Sequence, residues 1–261
     1  MENTIIFQKL KNFSEKNYIK EPLIVGGNVR DYVMGINSGA LDVDLTTNDS
    51  DVTRCAIGFA AENNLYYKVF KDLHVTVYID GQKDLDFSSN FISKLSIDFF
   101  KNSKFSENKY HEVISRDFTI NTLHKNMFSE DIIDMLSVGL KDIDNRTVKC
   151  VSSPKICFLD DPRRIYRAVS LSARLNFTID NSIFDFSRNN FKLFSVSPGV
   201  ISDGYITSSI DRSIGINDDL LINNLFEMKI IQNVPLVGKF KDLLIKKNKI
   251  NEYLDSKKYL Y

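Results

Sequence analysis

The stretch Leu23–Thr47, "LIVGGNVRDYVMGINSGALDVDLTT", decides how the rest of the chain is read. It opens apolar, turns on Gly26 and Gly27, continues as a helix-like run ending at Gly35, and closes on an apolar run that contains Asp42 and Asp44. A strand running through two glycines into a helix lets backbone N–H groups approach an anion, because neither glycine has a Cβ in the way. A plain tight turn explains the pair as well. The aspartates add weight to the first reading. Residues i and i+2 of a strand project to one face, so both carboxylates converge while Leu41, Val43 and Leu45 face the core. Two like charges that close repel unless a cation lies between them. Hard oxygen ligands suit Mg2+, which completes its shell with water and substrate phosphates. An edge strand with a solvated polar face is the alternative. The third glycine of a dinucleotide-binding fingerprint is missing, which disfavours a nicotinamide enzyme.

Outward from this stretch, strand-like runs alternate with helical ones. A helix is expected near Val52–Asn63, and "HVTVYIDGQKDLDFSS" reads as a hairpin turning at Asp80-Gly81. Together they predict an α+β head with a mixed, largely antiparallel sheet. Asp86, on the second strand of the hairpin, is either a third acid near the site or a surface residue. From Asp160 onward Ile165, Ala168, Val169 and Ser172 recur at spacings of three and four, a helical pattern. A domain change is expected near Lys141, giving segments 1–140, 141–180 and 181–261.

Composition narrows the class. With 43% hydrophobic and 26% charged residues the chain reads as globular. No run approaches the roughly 18 apolar residues of a membrane helix, and "MENTIIFQKLKNF" lacks a signal-peptide core, so a cytoplasmic protein without membrane contact is expected. The cysteines Cys55, Cys150 and Cys157 have no C-x-x-C spacing and read as reduced thiols, and three scattered histidines offer no zinc ligand set. Lys plus Arg equals Asp plus Glu at 34 each, so only local charge can announce a nucleic-acid partner. Lys239–Tyr261 carries seven lysines against three acids, interleaved with Phe240, Tyr253, Tyr259 and Tyr261. It reads either as a solvated helix end or as a phosphate-contacting segment whose aromatics stack on bases.

The motif "VGGNVRDYVMGINSGALDVDLTT" resembles the G-G-x-V-R-D-x-x-x-G…D-x-D signature of the class II tRNA nucleotidyltransferase and poly(A) polymerase family. The likeness continues through "SRDFTINTL", "IIDMLSVGLKDI" and "DDPRRIYRAVSLSARLNFTID", in the family's order. It implies a polymerase-β-like nucleotidyltransferase head followed by a helical neck and a shortened helical body. The activity implied is template-independent addition of CCA to tRNA 3′ ends from CTP and ATP, with Mg2+ held by Asp42 and Asp44. Poly(A) or A-only addition is the alternative within the class, and a catalytically silent RNA-binding relative the alternative outside it.

The resemblance also assigns roles. Gly26 and Gly27 meet the triphosphate, Arg30 and Arg116 contact phosphate or brace the site, and Asp117 accepts from ribose hydroxyls with Asn121 one helical turn away. Asp161 and Arg164 correspond to the family's E-D-x-x-R nucleotide-selecting motif. Three apart on a helix, they are expected to place an acceptor beside a donor, which fits cytosine and adenine and mismatches uracil and guanine. A structural ion pair is the bland reading. Their spacing makes Arg163, Arg167 and Arg174 a basic stripe for phosphate, with Arg167 expected to bind the nucleotide and Arg163 and Arg174 the RNA, together with Lys246, Lys247 and Lys249 of the C-terminal segment. The sequence also departs from the family. Ser115 replaces a first Arg, Val138 replaces the first glycine of a Gly-Gly pair, and Leu73-His74 stands where CCA-adding members carry Gly-Thr. The resulting Leu-His-Val is similar to the poly(A) polymerases, yet Lys68-Val69 occupies the place of their upstream basic pair. About 80 residues follow Asp180, fewer than the usual body and tail.

Overall fold

The computed structural model describes residues 4–36, 42–49, 51–70, 74–79, 84–88, 94–101, 103–105, 107 and 110–259. It divides into two compact units, Met1–Ile143 and Asp144–Tyr261.

The first unit runs α1 (Thr4–Lys16), β1 (Leu23–Val25), α2 (Gly27–Val33), β2 (Asp42–Thr46), α3 (Val52–Glu62), β3 (Tyr67–Val69), β4 (Val75–Val77), β5 (Asp84–Phe87), α4 (Lys94–Phe100), α5 (His111–Ser115), β6 (His124–Asn126) and β7 (Ile132–Ile133), reaching α6 (Gly139–Asp144) at its end. The strands form one sheet in the order β3-β4-β5-β2-β1-β6-β7. Only β2 and β5 pair in parallel; the other pairs are antiparallel, the mixed sheet that the sequence predicts. The expected β4–β5 hairpin forms with Thr76 opposite Asp86, while its Asp80-Gly81 turn lies outside the described residues.

Strand periodicity sorts this sheet into two faces. Val43, Leu45, Val75, Val77, Leu85 and Phe87 are buried in one cluster with Leu10 and Phe13 of α1 and with Cys55, Ala56, Phe59 and Ala60 of α3. Each such large apolar side chain contributes roughly 1.5–3 kcal/mol. Gly58 permits the helix contact, since a Cβ there would lie 2.7 Å from the Phe13 ring. The alternate positions, Asp42, Asp44, Thr76 and Asp86, fall on the opposite face.

The second unit contains β8 (Thr147–Val148), α7 (Pro154–Asp160), α8 (Arg164–Leu175), β9 (Thr178–Ile179), α9 (Asn181–Asn189), α10 (Asp203–Asp211), α11 (Asp218–Glu227), α12 (Gly238–Lys246) and α13 (Ile250–Ser256). β8 and β9 pair in parallel. These two-residue strands are too short to leave an alternation in the sequence. The expected helix through Ile165, Ala168, Val169 and Ser172 is α8, with all four side chains buried. It packs on α10 and α11 and resolves its buried polar groups locally. Ser170 and Ser213 share a 2.6 Å hydrogen bond, and Asn224 donates to Ser172 at 2.9 Å. Cys55, Cys150 and Cys157 are buried. Among the described residues no helix is long and apolar enough to cross a membrane.

Candidate active site

The parallel pairing of β2 with β5 sets Asp44 beside Asp86 and Asp42 beside Asp84. Asp42 is exposed and Asp44 half-buried, on the face opposite the core, as the i, i+2 spacing predicts. Asp86 accepts a hydrogen bond from Thr76 Oγ1 at 2.5 Å and lies 3.4 Å from His74 Nε2, both on Oδ1. Asp86 is thus half-buried beside the aspartate pair. Burial, then Asp44, then Asp86 push the Asp42 carboxyl above its ordinary pKa. For Asp86 burial acts in the same direction but is outweighed: hydrogen bonds from His74 and Thr76 hold that carboxyl below the usual value. A carboxyl driven upward by its own neighbours is the electrostatic mark of a place that gains from a cation. Among the described residues no group of three or more His, Cys, Asp or Glu is already arranged as a metal cage. Asp42 and Asp44 suit Mg2+ nonetheless, because that ion binds through one or two carboxylates and takes its other ligands from water and phosphate.

The glycine pair closes the same site. Gly26 has φ +72°, a conformation that disfavours any side chain, and it separates β1 from α2. A Cβ at Gly26 would sit 2.6 Å from Arg116 Nη1 and 3.1 Å from Asp44 Oδ2. Glycine at this position leaves room for the Arg116 guanidinium and the Asp44 carboxylate to lie against the loop backbone. The two arginines have different surroundings. Arg30 is buried and braces: its guanidinium donates to Asp31 Oδ1 at 2.8 and 2.6 Å and to Asn121 Oδ1 at 2.7 Å. Arg116 reaches the glycine loop.

Asp117 and Asn121 meet, but not on a helix as predicted. α5 stops at Ser115, Arg116 is extended, and Thr119–Asn121 form a short 3-10 turn. Asn121 Nδ2 still donates to Asp117 Oδ1 at 3.0 Å, and Asp117 Oδ1 also accepts from the Phe118 N–H at 2.8 Å. Phe118, Ile120 and Leu123 are buried along this turn. Sequence reasoning missed Glu112 and His124. Arg116 Nε donates to Glu112 Oε1 at 2.6 Å, and His124 Nε2 lies 3.0 Å from Glu112 Oε2. Burial opposes this carboxylate, yet Arg116 and His124 overcome it and hold its pKa at about 2. Burial likewise opposes the charge on Arg116, which Glu112 and Asp44 outweigh, raising its pKa. The i, i+4 spacing of Glu112 and Arg116 was the available signal; His124 had none. Gly139, the glycine kept beside Val138, has a structural reason: a Cβ there would lie 2.8 Å from the Thr119 carbonyl oxygen.

In the second unit the nucleotide-selecting pair departs from expectation. Asp161 and Arg164 do not share a helix. Pro162 disfavours helical geometry at the residue before it, so α7 ends at Asp160 and Asp161 is extended at φ −146°, ψ 99°. Asp161 is clasped by Arg163 at 2.8 and 3.0 Å. Arg164 instead donates to the Cys157 carbonyl at 3.3 Å and lies 3.5 Å from Asp160 Oδ2. Arg163, Arg167 and Arg174 are all exposed on or beside α8. The C-terminal segment offers less than expected. Phe240 and Tyr253 are buried against each other and cannot stack on bases; Tyr261 and the Tyr259 side chain lie outside the described residues. Lys247 pairs with Asp219 at 2.6 Å and Lys249 with Glu252 at 2.7 Å, while Lys246 is exposed.

Residues 23–149 match the poly A polymerase head domain. A tRNA nucleotidyltransferase of Schizosaccharomyces pombe is 30% identical over 207 residues, spanning 70% of this chain and 41% of that protein. A CCA-adding enzyme of Staphylococcus epidermidis is 32% identical over 179 residues, spanning 67% of this chain and 41% of that enzyme. The chain thus covers well under half the length of either relative. A solved tRNA nucleotidyltransferase complexed with a primer tRNA and an incoming ATP analog shares the fold, with a TM-score of 0.63 at 22% identity over 86% of this chain and 62% of that one. With its glycine loop, paired strand aspartates and matching head domain, the chain belongs to the class II tRNA nucleotidyltransferase and poly(A) polymerase family.

Proposed function

We propose that the chain adds CMP and AMP, taken from CTP and ATP, to tRNA 3′ ends without a nucleic-acid template. The observation that carries this reading is the Asp42–Asp44 pair on one strand face, packed against Gly26 and Arg116. In the reaction an RNA 3′-hydroxyl attacks the α-phosphate of the incoming triphosphate, one P–O bond forms, another breaks, and pyrophosphate leaves. Asp42 and Asp44 would hold two Mg2+ ions, with Asp86 as the third acid. Bound there, Mg2+ supplies activation of the attacking oxygen and charge stabilisation of the leaving one. Arg116, kept charged by Glu112 and Asp44, offers phosphate a donor beside the glycine loop. Arg30 and Asn121 hold Asp117 for the ribose hydroxyls. For base selection Asp161 gives up its contact with Arg163 and accepts from the exocyclic amine of C or A, while Arg164 donates to the ring nitrogen.

The test is incubation with tRNAs ending before CC, at C and at CC, each with labelled CTP or ATP and Mg2+. The proposal expects CMP on the first two and AMP on the third. AMP added to all three, with CTP refused, replaces it with the A-adding reading. No incorporation under any condition leaves the silent RNA-binding relative.

A further inference from the structure

His74 has a place that the reaction as described does not use. β4 begins at Val75, and its pairing with β5 sets Thr76 opposite Asp86. His74 lies two residues before Thr76, and the strand period turns both side chains toward the same carboxylate. Thr76 Oγ1 and His74 Nε2 meet one and the same oxygen, Asp86 Oδ1. The imidazole is itself held in place: it stacks on Phe70 with ring centroids 5.0 Å apart and planes 17° apart, and the Phe70 N–H donates to the His74 carbonyl at 2.8 Å. Lys68 Nζ covers the Phe70 ring at 4.8 Å. A fixed ring and a hydroxyl that both bind one carboxylate oxygen leave that carboxylate little rotation. Its orientation relative to Asp42 and Asp44 is thereby set.

We propose that His74 is a positioning residue for Asp86, clamping one carboxylate oxygen so that the acid faces the Asp42–Asp44 pair and strengthens divalent-cation binding there. The inference rests on the metal reading given above. Groups that orient metal-binding carboxylates typically change metal affinity by roughly 10- to 100-fold when removed.

The experiment measures Mn2+ binding to the full chain by the electron paramagnetic resonance signal of the free ion, alongside thermal melting. His74→Phe keeps a ring to stack on Phe70 and removes the donor; it should weaken Mn2+ binding by roughly tenfold. His74→Gln restores a donor and should recover most of that loss. In an Asp86→Asn background the His74→Phe change should add nothing, because its effect passes through Asp86. Parent-like affinity in His74→Phe, or the same loss in the Asp86→Asn background, overturns the role of His74 and leaves the metal reading standing. A parent chain that binds no Mn2+, or binds it equally after Asp42→Ala, overturns the metal reading and this inference with it.

Discussion

Two groups of acids in the first unit meet opposite electrostatic fates. On the face of β2 and β5, Asp42 is surrounded by Asp44 and Asp86 and is pushed above its ordinary pKa. In α5, Glu112 is fully enclosed, yet Arg116 and His124 bring its pKa down to about 2. Burial works against both charges. The difference is whether the protein supplies the compensating cation. Around Glu112 it does, and the result is a rigid support that aims Arg116 at the glycine loop. Around Asp42 burial and the neighbouring carboxylates of Asp44 and Asp86 act together against the charge, and Arg116 lies on the Asp44 side of the pair. The proposed site holds the strained carboxylate, and its neighbour α5 the compensated one.

The largest expected effect comes from the strained side. Asp42→Ala or Asp44→Ala should lower nucleotide incorporation by roughly a thousandfold or more, about 4 kcal/mol of barrier. Thermal stability should hold or rise in Asp42→Ala, since a repulsive neighbour is removed, whereas Asp44→Ala also takes a carboxylate from Arg116. Retained activity in either variant under Mg2+ erases the distinction drawn here.

The compensated side should respond in stability. Glu112→Ala leaves the buried Arg116 and His124 without their shared partner and should destabilise the fold by about 3 kcal/mol, read as a lower denaturation midpoint. The pH dependence has a definite sign. A carboxylate whose folded pKa is about 2 against a model value of 4.5 contributes stability that is fully present above pH 4.5 and is lost as pH falls through 2. At about 1.4 kcal/mol per unit that contribution is on the order of 3 kcal/mol. Asp42 acts the other way, its raised pKa favouring the fold on the acid side. An acid-unfolding profile unchanged by Glu112→Ala would place the support elsewhere.

How much of this was legible in sequence depends on which period governs each segment. A strand has a side-chain period of two regardless of its neighbours, so Asp42, Asp44 and the buried Val43 and Leu45 could be placed on their faces directly. The apolar stripe of α8 was equally legible. Helical spacing misled where a short segment was asked to be a helix for the sake of two polar residues. Pro162 pulled Asp161 out of the helix, and the 117–121 segment, buried along its whole length, runs as an extended residue and a tight turn. The proline stood in the sequence. His124 was invisible because its partner, Glu112, comes from a different element, and only folding brings them together.

Base selection tests a smaller effect in the second unit. Arg164→Ala removes the proposed donor to the base while leaving the carboxylates untouched. Discrimination of CTP over UTP and ATP over GTP, read as ratios of kcat/KM, should fall by roughly 10- to 100-fold. Turnover of the preferred nucleotide should fall less. Unchanged ratios would remove Arg164 from the selecting role and reduce its contacts with Cys157 and Asp160 to local structure.

The smallest effect is expected at Lys246, Lys247 and Lys249, where compensation again decides the outcome. If all three met RNA phosphates, replacing them with Ala would flatten the salt dependence of tRNA binding by about two to three units of log K against log salt, at roughly 0.7 to 0.9 per phosphate. Lys247 and Lys249 already face Asp219 and Glu252, so the protein has neutralised them much as it has neutralised Glu112. The triple variant should therefore change the slope by about one unit or less. As exposed pairs, Lys247–Asp219 and Lys249–Glu252 should together cost little stability when lost, about 1 kcal/mol or less. Arg163 is likewise held by Asp161, so changing Arg163, Arg167 and Arg174 together should flatten the slope by less than three full phosphate contacts would. A loss of two or more units in the lysine variant would mean that RNA displaces Asp219 and Glu252, and that an ion pair at the surface, unlike the enclosed one at Glu112, leaves its charge available to a ligand.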